Sequence, residues 1–330
     1  MNETILRVEN LTKFFPIPGD TFFASEKNYV KAVNGITFEV VKGECLGIVG
    51  ESGCGKSTTG KLILQLIKPT TGKIFLHDTD LSGLSKPELR KMRRHIQMVF
   101  QDPYASLDPR QTVRAALEEP MAIHGCGSTS DRAERVRQLL QEVGLEDYHA
   151  DRYPHEFSGG QRQRINVARA LALNPDVIIC DEPVSALDVS IQAQVVNLLK
   201  DLQRSHNLTY IFIAHDLSVV KYVSDRIVVM YLGKIMEIGS NSQVYSRPAH
   251  PYTLALLSAM PIIHPRDRRD EKKLLNGDPP SPISIPQGCV FHPRCSRAMD
   301  ICRREAPILQ TIDSGHQVAC HLCPNNYGTA

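Results

Sequence analysis

A chain of 330 residues has room for one large domain with an appendage, or for two domains. Hydrophobic content of 42% and charged content of 22% are ordinary for a globular protein, and a net charge of +2 gives no basis for a nucleic-acid partner. No apolar run approaches the ~18 residues of a membrane span. The start Met1-Asn2-Glu3-Thr4 lacks the basic and apolar parts of a secretory signal. The expected location is therefore cytoplasmic, with any membrane role exerted through partners.

Residues Ile5 to Val40 alternate in the β manner, most clearly over Ile36-Thr37-Phe38-Glu39-Val40, and Lys73 to His77 also reads as a strand. Together they predict an antiparallel β layer. The apolar run Cys45-Leu46-Gly47-Ile48-Val49 reads as a short buried strand. It leads into Gly50-Glu51-Ser52-Gly53-Cys54-Gly55-Lys56-Ser57, which fits G-x-x-x-x-G-K-[ST]. A helix is predicted to follow from Ser57. Strand, glycine-rich turn and helix are the context in which backbone N–H groups turn inward around phosphates, helped by the helix dipole. Lys56 would bring a full charge to the outer phosphates and Ser57 a hydroxyl to Mg²⁺. Gly50, Ser52, Gly53, Cys54, Gly55, Lys56, Ser57 and Thr58 are the candidate nucleotide contacts here. An aromatic of the preceding β layer could stack on the base; Phe15 is the candidate, the alternative being a plain core or surface ring. The helix start and Lys56 should both lower the pKa of Cys54, so a reactive thiolate protected by Mg-ATP is expected, against a merely shielded thiol.

Lys86 to Arg94 is a basic helical stretch that reads as a solvated face. A polar region with helical pattern runs from Tyr104 to Phe157, for example over Ala133 to Val143. Ser158-Gly159-Gly160-Gln161 opens another helix, Arg162 to Leu173. Ser158 and Gln161 fit a capping box, yet two adjacent glycines expose more N–H than a cap needs and make a second candidate anion site. Val177-Ile178-Ile179-Cys180 reads as a fully buried parallel strand with Asp181 and Glu182 at its C-terminal end, where open α/β sheets bind ligands. Asp181 can hold Mg²⁺ through water, and Glu182 can orient or deprotonate an attacking water. Tyr210 to Ala214 is a further buried strand, ending at His215, a candidate γ-phosphate contact. No N-K-x-D motif occurs, which argues against a GTPase.

Over residues 5 to about 260 these motifs resemble the ATPase subunits of ABC transporters. Phe157-Ser158-Gly159-Gly160-Gln161 is similar to the family signature L-S-G-G-Q, with Phe at the first position. The resemblance implies that Gln101 touches Mg²⁺ and senses membrane subunits. It makes Asp181 the Mg²⁺-site aspartate, Glu182 the catalytic glutamate and His215 the switch histidine, and it places Asp188, in Ser185-Ala186-Leu187-Asp188, at a dimer interface. It implies an α/β fold: a P-loop (RecA-like) parallel-sheet core, an antiparallel β subdomain, an inserted helical subdomain at about 104–175, and a small cysteine-rich C-terminal appendage. The cassette would span 1–260 and the extension 261–330. Such ATPases pair head to tail, identical or related, with ATP held between the phosphate loop of one subunit and the signature of the other.

The tail narrows the family. His250-Pro251-Tyr252-Thr253, Pro279-Pro280-Ser281-Pro282 and Gly288-Cys289-Val290-Phe291-His292-Pro293-Arg294-Cys295 resemble oligopeptide and dipeptide importer ATPases. These imply two integral permeases, an extracytoplasmic peptide-binding protein, and a peripheral place on the cytoplasmic face of the membrane. Nickel importers share much of this tail, and a soluble ABC ATPase is the other alternative. Of nine cysteines, five fall between Cys289 and Cys323. With seven prolines and few large apolar residues from Gly277 onward, the tail needs a staple. Cys289, Cys295, Cys302 and Cys320 lack the close pairs of most zinc sites. They suit an iron–sulfur cluster, and the importer resemblance points to 4Fe–4S; Zn²⁺ and free thiols stay open, with His292, His316 and His321 as further candidate ligands. Because the cassette motifs all precede residue 216, ATP binding is expected to be independent of the tail. The tail is expected to pack against a neighbouring subunit.

Overall fold

The computed structural model describes residues 3–17, 28–260 and 277–323. Met1-Asn2, the middle of the Ile5–Val40 stretch and the boundary segment after residue 260 lie outside them. In chain order the strands and helices are β1 (Thr4–Pro16), β2 (Tyr29–Val41), β3 (Cys45–Val49), α1 (Lys56–Ile63), β4 (Thr71–Leu76), β5 (Thr79–Asp80), α2 (Lys86–Met92), β6 (Ile96–Val99), α3 (Val113–Ile123), α4 (Thr129–Glu142) and α5 (Gly159–Leu171). They continue with β7 (Val177–Asp181), α6 (Val189–His206), β8 (Thr209–Ile213), α7 (Leu217–Val223), β9 (Arg226–Tyr231), β10 (Lys234–Ser240), α8 (Asn241–Ser246), α9 (Pro251–Ser258), α10 (Asp300–Arg304), β11 (Gln310–Asp313) and β12 (His316–Val318). The chain divides into two compact units.

The first unit comprises Met1–Leu6, Val40–Cys45 and Leu76–Ala214. Its strands β6, β7 and β8 are parallel neighbours, with Ile96 opposite Val177 and Ile178 opposite Tyr210. All five residues of β7 and of β8 are buried, as a strand covered on both faces requires. Three helices lie between β6 and β7 and pack on one another. Each starts where a side chain caps free N–H groups: Thr112 accepts from Ala115 N, and Ser128 and Ser158 close capping boxes with Asp131 and Gln161. Val136, Leu139 and Leu140 form the buried stripe of α4 at helical spacing.

The second unit comprises Arg7–Glu39, Leu46–Phe75 and His215–Ala330. It carries most of β1, β2 and β4, which follow one another in the order β2-β1-β4. A separate run of strands has the order β11-β12-β10-β9-β3. Here β3 and β9 are parallel, Ile48 facing Val228, while β10 pairs antiparallel with β9 and with β12, Glu237 facing Val318. The tail therefore packs on its own chain. Phe291 is buried, with its ring 5.3 Å from those of both Tyr231 and Tyr252. These aromatics and the β10–β12 ladder supply the burial that the tail cannot assemble from its own residues. Among the described residues no helix is long and apolar enough to cross a membrane.

A buried polar network joins the tail to β10. The Glu237 carboxylate, wholly buried, accepts from the backbone N–H groups of Ala249 and His250 and lies 2.7 Å from His316 Nε2. His250 Nδ1 accepts from Tyr252 N, so the ring serves as a neutral acceptor. Burial, against the pull of Glu237, lowers the His250 pKa to about 4. Above the unfolded value near 6.5 the ring is neutral in both states; between 6.5 and about 4 only the unfolded chain takes the proton, so stability falls with falling pH. Over the whole window this amounts to about 3 kcal/mol. Between pH 7 and pH 5 the wild-type denaturation midpoint should drop more than that of His250→Asn, which keeps a capping acceptor. Equal drops would show that His250 is not held neutral.

Candidate nucleotide site

In the second unit, β3 delivers the chain into the loop Gly50–Gly55, and α1 begins at Lys56, one residue earlier than expected. Gly55 caps α1 in a left-handed conformation (φ 106°), and a Cβ there would stand 2.2 Å from the Ala32 carbonyl oxygen. Only glycine fits that approach. Lys56 Nζ folds over the loop and donates to the carbonyls of Gly50 (2.8 Å) and Glu51 (3.0 Å). Thr59 Oγ1 donates to the Gly55 carbonyl at 2.9 Å. Ser52 and Gly53 are exposed at the loop tip, while Ser57 and Thr58 are half-buried at the helix start. The loop thus presents amides, an ammonium and a helix N-terminus together, the equipment for a polyphosphate. Lys56→Ala is expected to weaken ATP binding about 10- to 100-fold, the worth of hydrogen bonds to a charged group. Unchanged affinity in a nucleotide titration would remove Lys56 from the site.

The expectation for Cys54 is overturned. Its thiol is 3% exposed, and burial raises its pKa more strongly than Lys56, 3.9 Å away, lowers it. Spacing placed a positive charge beside the thiol but could not register the desolvation. A protonated, shielded thiol is not a target for alkylation.

The structure brings loop and tail into contact. The Arg294 guanidinium makes a two-pronged contact with the Glu51 carboxylate, Nη1 to Oε2 at 2.7 Å and Nη2 to Oε1 at 3.0 Å. Tyr252 Oη accepts from Glu51 N at 2.9 Å. Two tail-side residues therefore brace the second residue of the phosphate loop. Sequence reasoning missed both roles, although Arg294 and Tyr252 lie inside the motifs that it singled out. Elsewhere in this unit, Phe15 ends β1 with its ring about a third exposed and Lys13 Nζ 5.0 Å from its centroid. His215 is exposed, one residue before Asp216 caps α7.

In the first unit, β7 ends on buried Asp181, and Glu182 follows with φ 47°. A left-handed glutamate is strained backbone and persists only where its surroundings hold it. Glu182 N donates to Ile213 O, and its carbonyl accepts from Ser185 N and Ser185 Oγ. The carboxylate accepts from Gln101 Nε2 at 3.1 Å, so two expected catalytic residues 81 positions apart meet. The Ser158–Gln161 capping box forms as predicted. Within the signature the two glycines differ. A Cβ on Gly160 would stand 2.4 Å from Ile191 Cγ2, whereas one on Gly159 meets nothing closer than 3.4 Å. Gly160 therefore permits close packing against α6, leaving Gly159 as the more open backbone. Asp188 sits exposed before α6 and makes no side-chain cap.

Residues 33–185 match the family described as ABC transporter, and residues 236–302 the family described as oligopeptide/dipeptide transporter, C-terminal region. The chain is 54% identical over 322 residues to the oligopeptide transport ATP-binding protein AppF of Bacillus subtilis, covering 97% of this chain and 98% of that one. It belongs to the oligopeptide/dipeptide branch of the ABC transporter ATPases. A second B. subtilis relative, the putative oligopeptide transport ATP-binding protein YkfD, is 55% identical over 92% of this chain and 93% of its own. Among solved structures, a dimeric ATP-binding cassette in a post-hydrolysis state with ADP and Pi superposes with a TM-score of 0.63 at 32% identity, covering 72% of this chain and 99% of that one. The protein cbiO1 of Clostridium perfringens, part of the ABC transporter complex cbiONQ, gives 0.63 at 28% identity, covering 74% of this chain and 92% of that one. This ABC ATPase therefore has the family's α/β fold of mixed sheets and helices.

Proposed function

We propose that this ABC ATPase hydrolyses ATP to drive uptake of dipeptides or oligopeptides across a membrane. The near full-length match, tail included, to proteins named for oligopeptide transport carries the reading. A cassette over 1–260 and an extension over 261–330 would divide the labour. The loop Gly50–Gly55 with Lys56 and Thr58 holds the phosphates, and Phe15 stacks on the base. Ser57, Asp181 and Gln101 hold Mg²⁺. When bound, that ion neutralises charge building on the phosphate oxygens. Glu182, aligned by Gln101, orients the attacking water and takes its proton. His215 contacts the γ-phosphate. Ser158, Gly159, Gly160, Gln161 and Asp188 face the nucleotide of a second, head-to-tail ATPase, identical or related. Two permeases and an extracytoplasmic binding protein complete the importer, with this chain peripheral on its cytoplasmic face. Reconstituted with peptide-importer permeases and a peptide-binding protein, the chain should take up labelled peptide in an ATP-dependent manner. Nickel uptake that peptides do not compete would move it to the nickel importers. ATPase activity with no membrane partner would make it a soluble ABC ATPase.

We further propose that Cys289, Cys295, Cys302 and Cys320 hold a 4Fe–4S cluster. Cys289 lies within electrostatic reach of Cys302 and Cys295, and Cys320 of Cys289 and Cys295. Burial pushes the Cys320 thiol up to about 12, so a thiolate there needs a cationic partner. Anaerobically purified protein should be brown and carry iron and acid-labile sulfide, with most of it lost in Cys320→Ser. Colourless protein with one zinc would replace the cluster, and metal-free protein would leave reduced thiols.

A further inference from the structure

We propose that His77, His95 and Asp176 form a binding site for a divalent transition-metal ion of the zinc type. The three belong to the first unit and are far apart in the chain. His77 follows β4, His95 precedes β6, and Asp176 precedes β7. Their ligand atoms all lie within 4.8 Å of one another, the one such group of His, Cys, Asp or Glu among the described residues. Both imidazoles aim at a single carboxylate oxygen: His77 Nε2 is 3.1 Å and His95 Nδ1 2.8 Å from Asp176 Oδ2. Three donors at zinc bond lengths around a tetrahedral ion stand about 3.3 Å apart. The two imidazole–carboxylate separations are within about 0.5 Å of that spacing, and the imidazole nitrogens lie no more than 4.8 Å apart.

The backbone holds these ligands in place. Asp176 N and Val177 N both donate to the His95 carbonyl, His77 N donates to Ile5 O, and the Asp176 carbonyl accepts from Thr209 N. His77 and the following Asp78 both adopt left-handed backbone, at φ 47° and 61°, which turns the chain sharply at this point. The imidazoles stand edge to face, 5.8 Å between centroids, so neither ring blocks the other's nitrogen. The side chains are between about a third and a half exposed, which leaves a coordination position open to water. Two imidazoles and one carboxylate suit Zn²⁺, Co²⁺ or Ni²⁺ rather than Mg²⁺ or Ca²⁺, which prefer oxygen ligands.

The site lies at the entry ends of β6 and β7, whereas Gln101 and Glu182 follow their exit ends, about 17 Å away for a strand of this length. A bound ion would cross-link the two strands that carry those residues without touching nucleotide. It would act as a staple rather than as part of the chemistry.

The probe is Co²⁺, added to the untagged, chelator-treated full chain. One equivalent should bind with visible bands free of thiolate charge transfer, and Zn²⁺ should displace it and raise the melting midpoint. His77→Gln and His95→Gln should each weaken binding by at least ~10-fold, the least that disturbing a ligand set costs. Asp176→Asn, which keeps the side-chain shape, should do the same, and Cys320→Ser should leave the signal in place. The proposal is overturned if the double variant His77→Gln/His95→Gln keeps the thiolate-free Co²⁺ bands. It is overturned equally if saturating Zn²⁺ leaves the His77 and His95 imidazole resonances where they were, in which case the trio is only a hydrogen-bonded clamp.

Discussion

Glu182→Gln is expected to bind ATP with near wild-type affinity and to hydrolyse it at least ~10²-fold more slowly, the lower range for losing a general base. The substitution is nearly isosteric and leaves Lys56, Ser57 and Asp181 untouched. The backbone bonds from Glu182 N to Ile213 O and from Ser185 to the Glu182 carbonyl do not depend on the side chain, so the left-handed turn persists. The lost element is the carboxylate charge that Gln101 aligns from 3.1 Å. An amide can still meet Gln101 after rotation, but it cannot take a proton from water. Single-turnover hydrolysis alongside equilibrium nucleotide binding separates the two effects. Turnover within a few-fold of wild type would deny Glu182 its role. Gln101→Ala should produce a smaller loss, because it removes the alignment and keeps the base.

Arg294→Met should lower the melting midpoint and weaken ATP binding together. The guanidinium is 6% exposed and the Glu51 side chain 22%, so the pair is largely shielded from water. Removing one partner of a buried pair costs about 3–5 kcal/mol, chiefly through the charge left behind. The lower end applies here, because water still reaches part of Glu51. The stranded carboxylate belongs to the loop proposed to hold the phosphates, so its unbalanced charge would also oppose ATP directly. Arg294→Met/Glu51→Gln should recover part of both losses, since no charge is then left unpaired. If the single variant melts and binds ATP as wild type does, the tail does not support the loop.

Much of the nucleotide machinery was legible in the chain because its chemistry is local. A glycine turn between strand and helix, a serine three residues before a glutamine, and an apolar strand ending in two carboxylates each declare their backbone and function within a few residues. The helix at Lys86 and the strand at Val177 appear where the sequence pattern places them, and the helical pattern over Ala133 to Val143 belongs to a helix that begins four residues earlier, at Thr129. The failures share a cause. Local sequence put a cation beside Cys54 but carried no measure of burial, and desolvation decides the ionisation of that thiol. It could not show that the apolar surface meeting Phe291 comes from Tyr231 and Tyr252 of the same chain, which no local pattern links to it.

The amino-acid sequence by itself determined that this chain carries a glycine-rich loop between strand and helix, a capped Ser-Gly-Gly-Gln helix start and a buried strand ending in an aspartate and a glutamate, since each is a run of neighbours with its own geometry. Only the tertiary structure decided which distant groups meet: Gln101 with Glu182, Arg294 with Glu51, and His77 and His95 with Asp176. Those pairings span 81, 243, 99 and 81 residues. No spacing rule reaches so far, because strand order and burial, rather than contour length, bring the partners into contact.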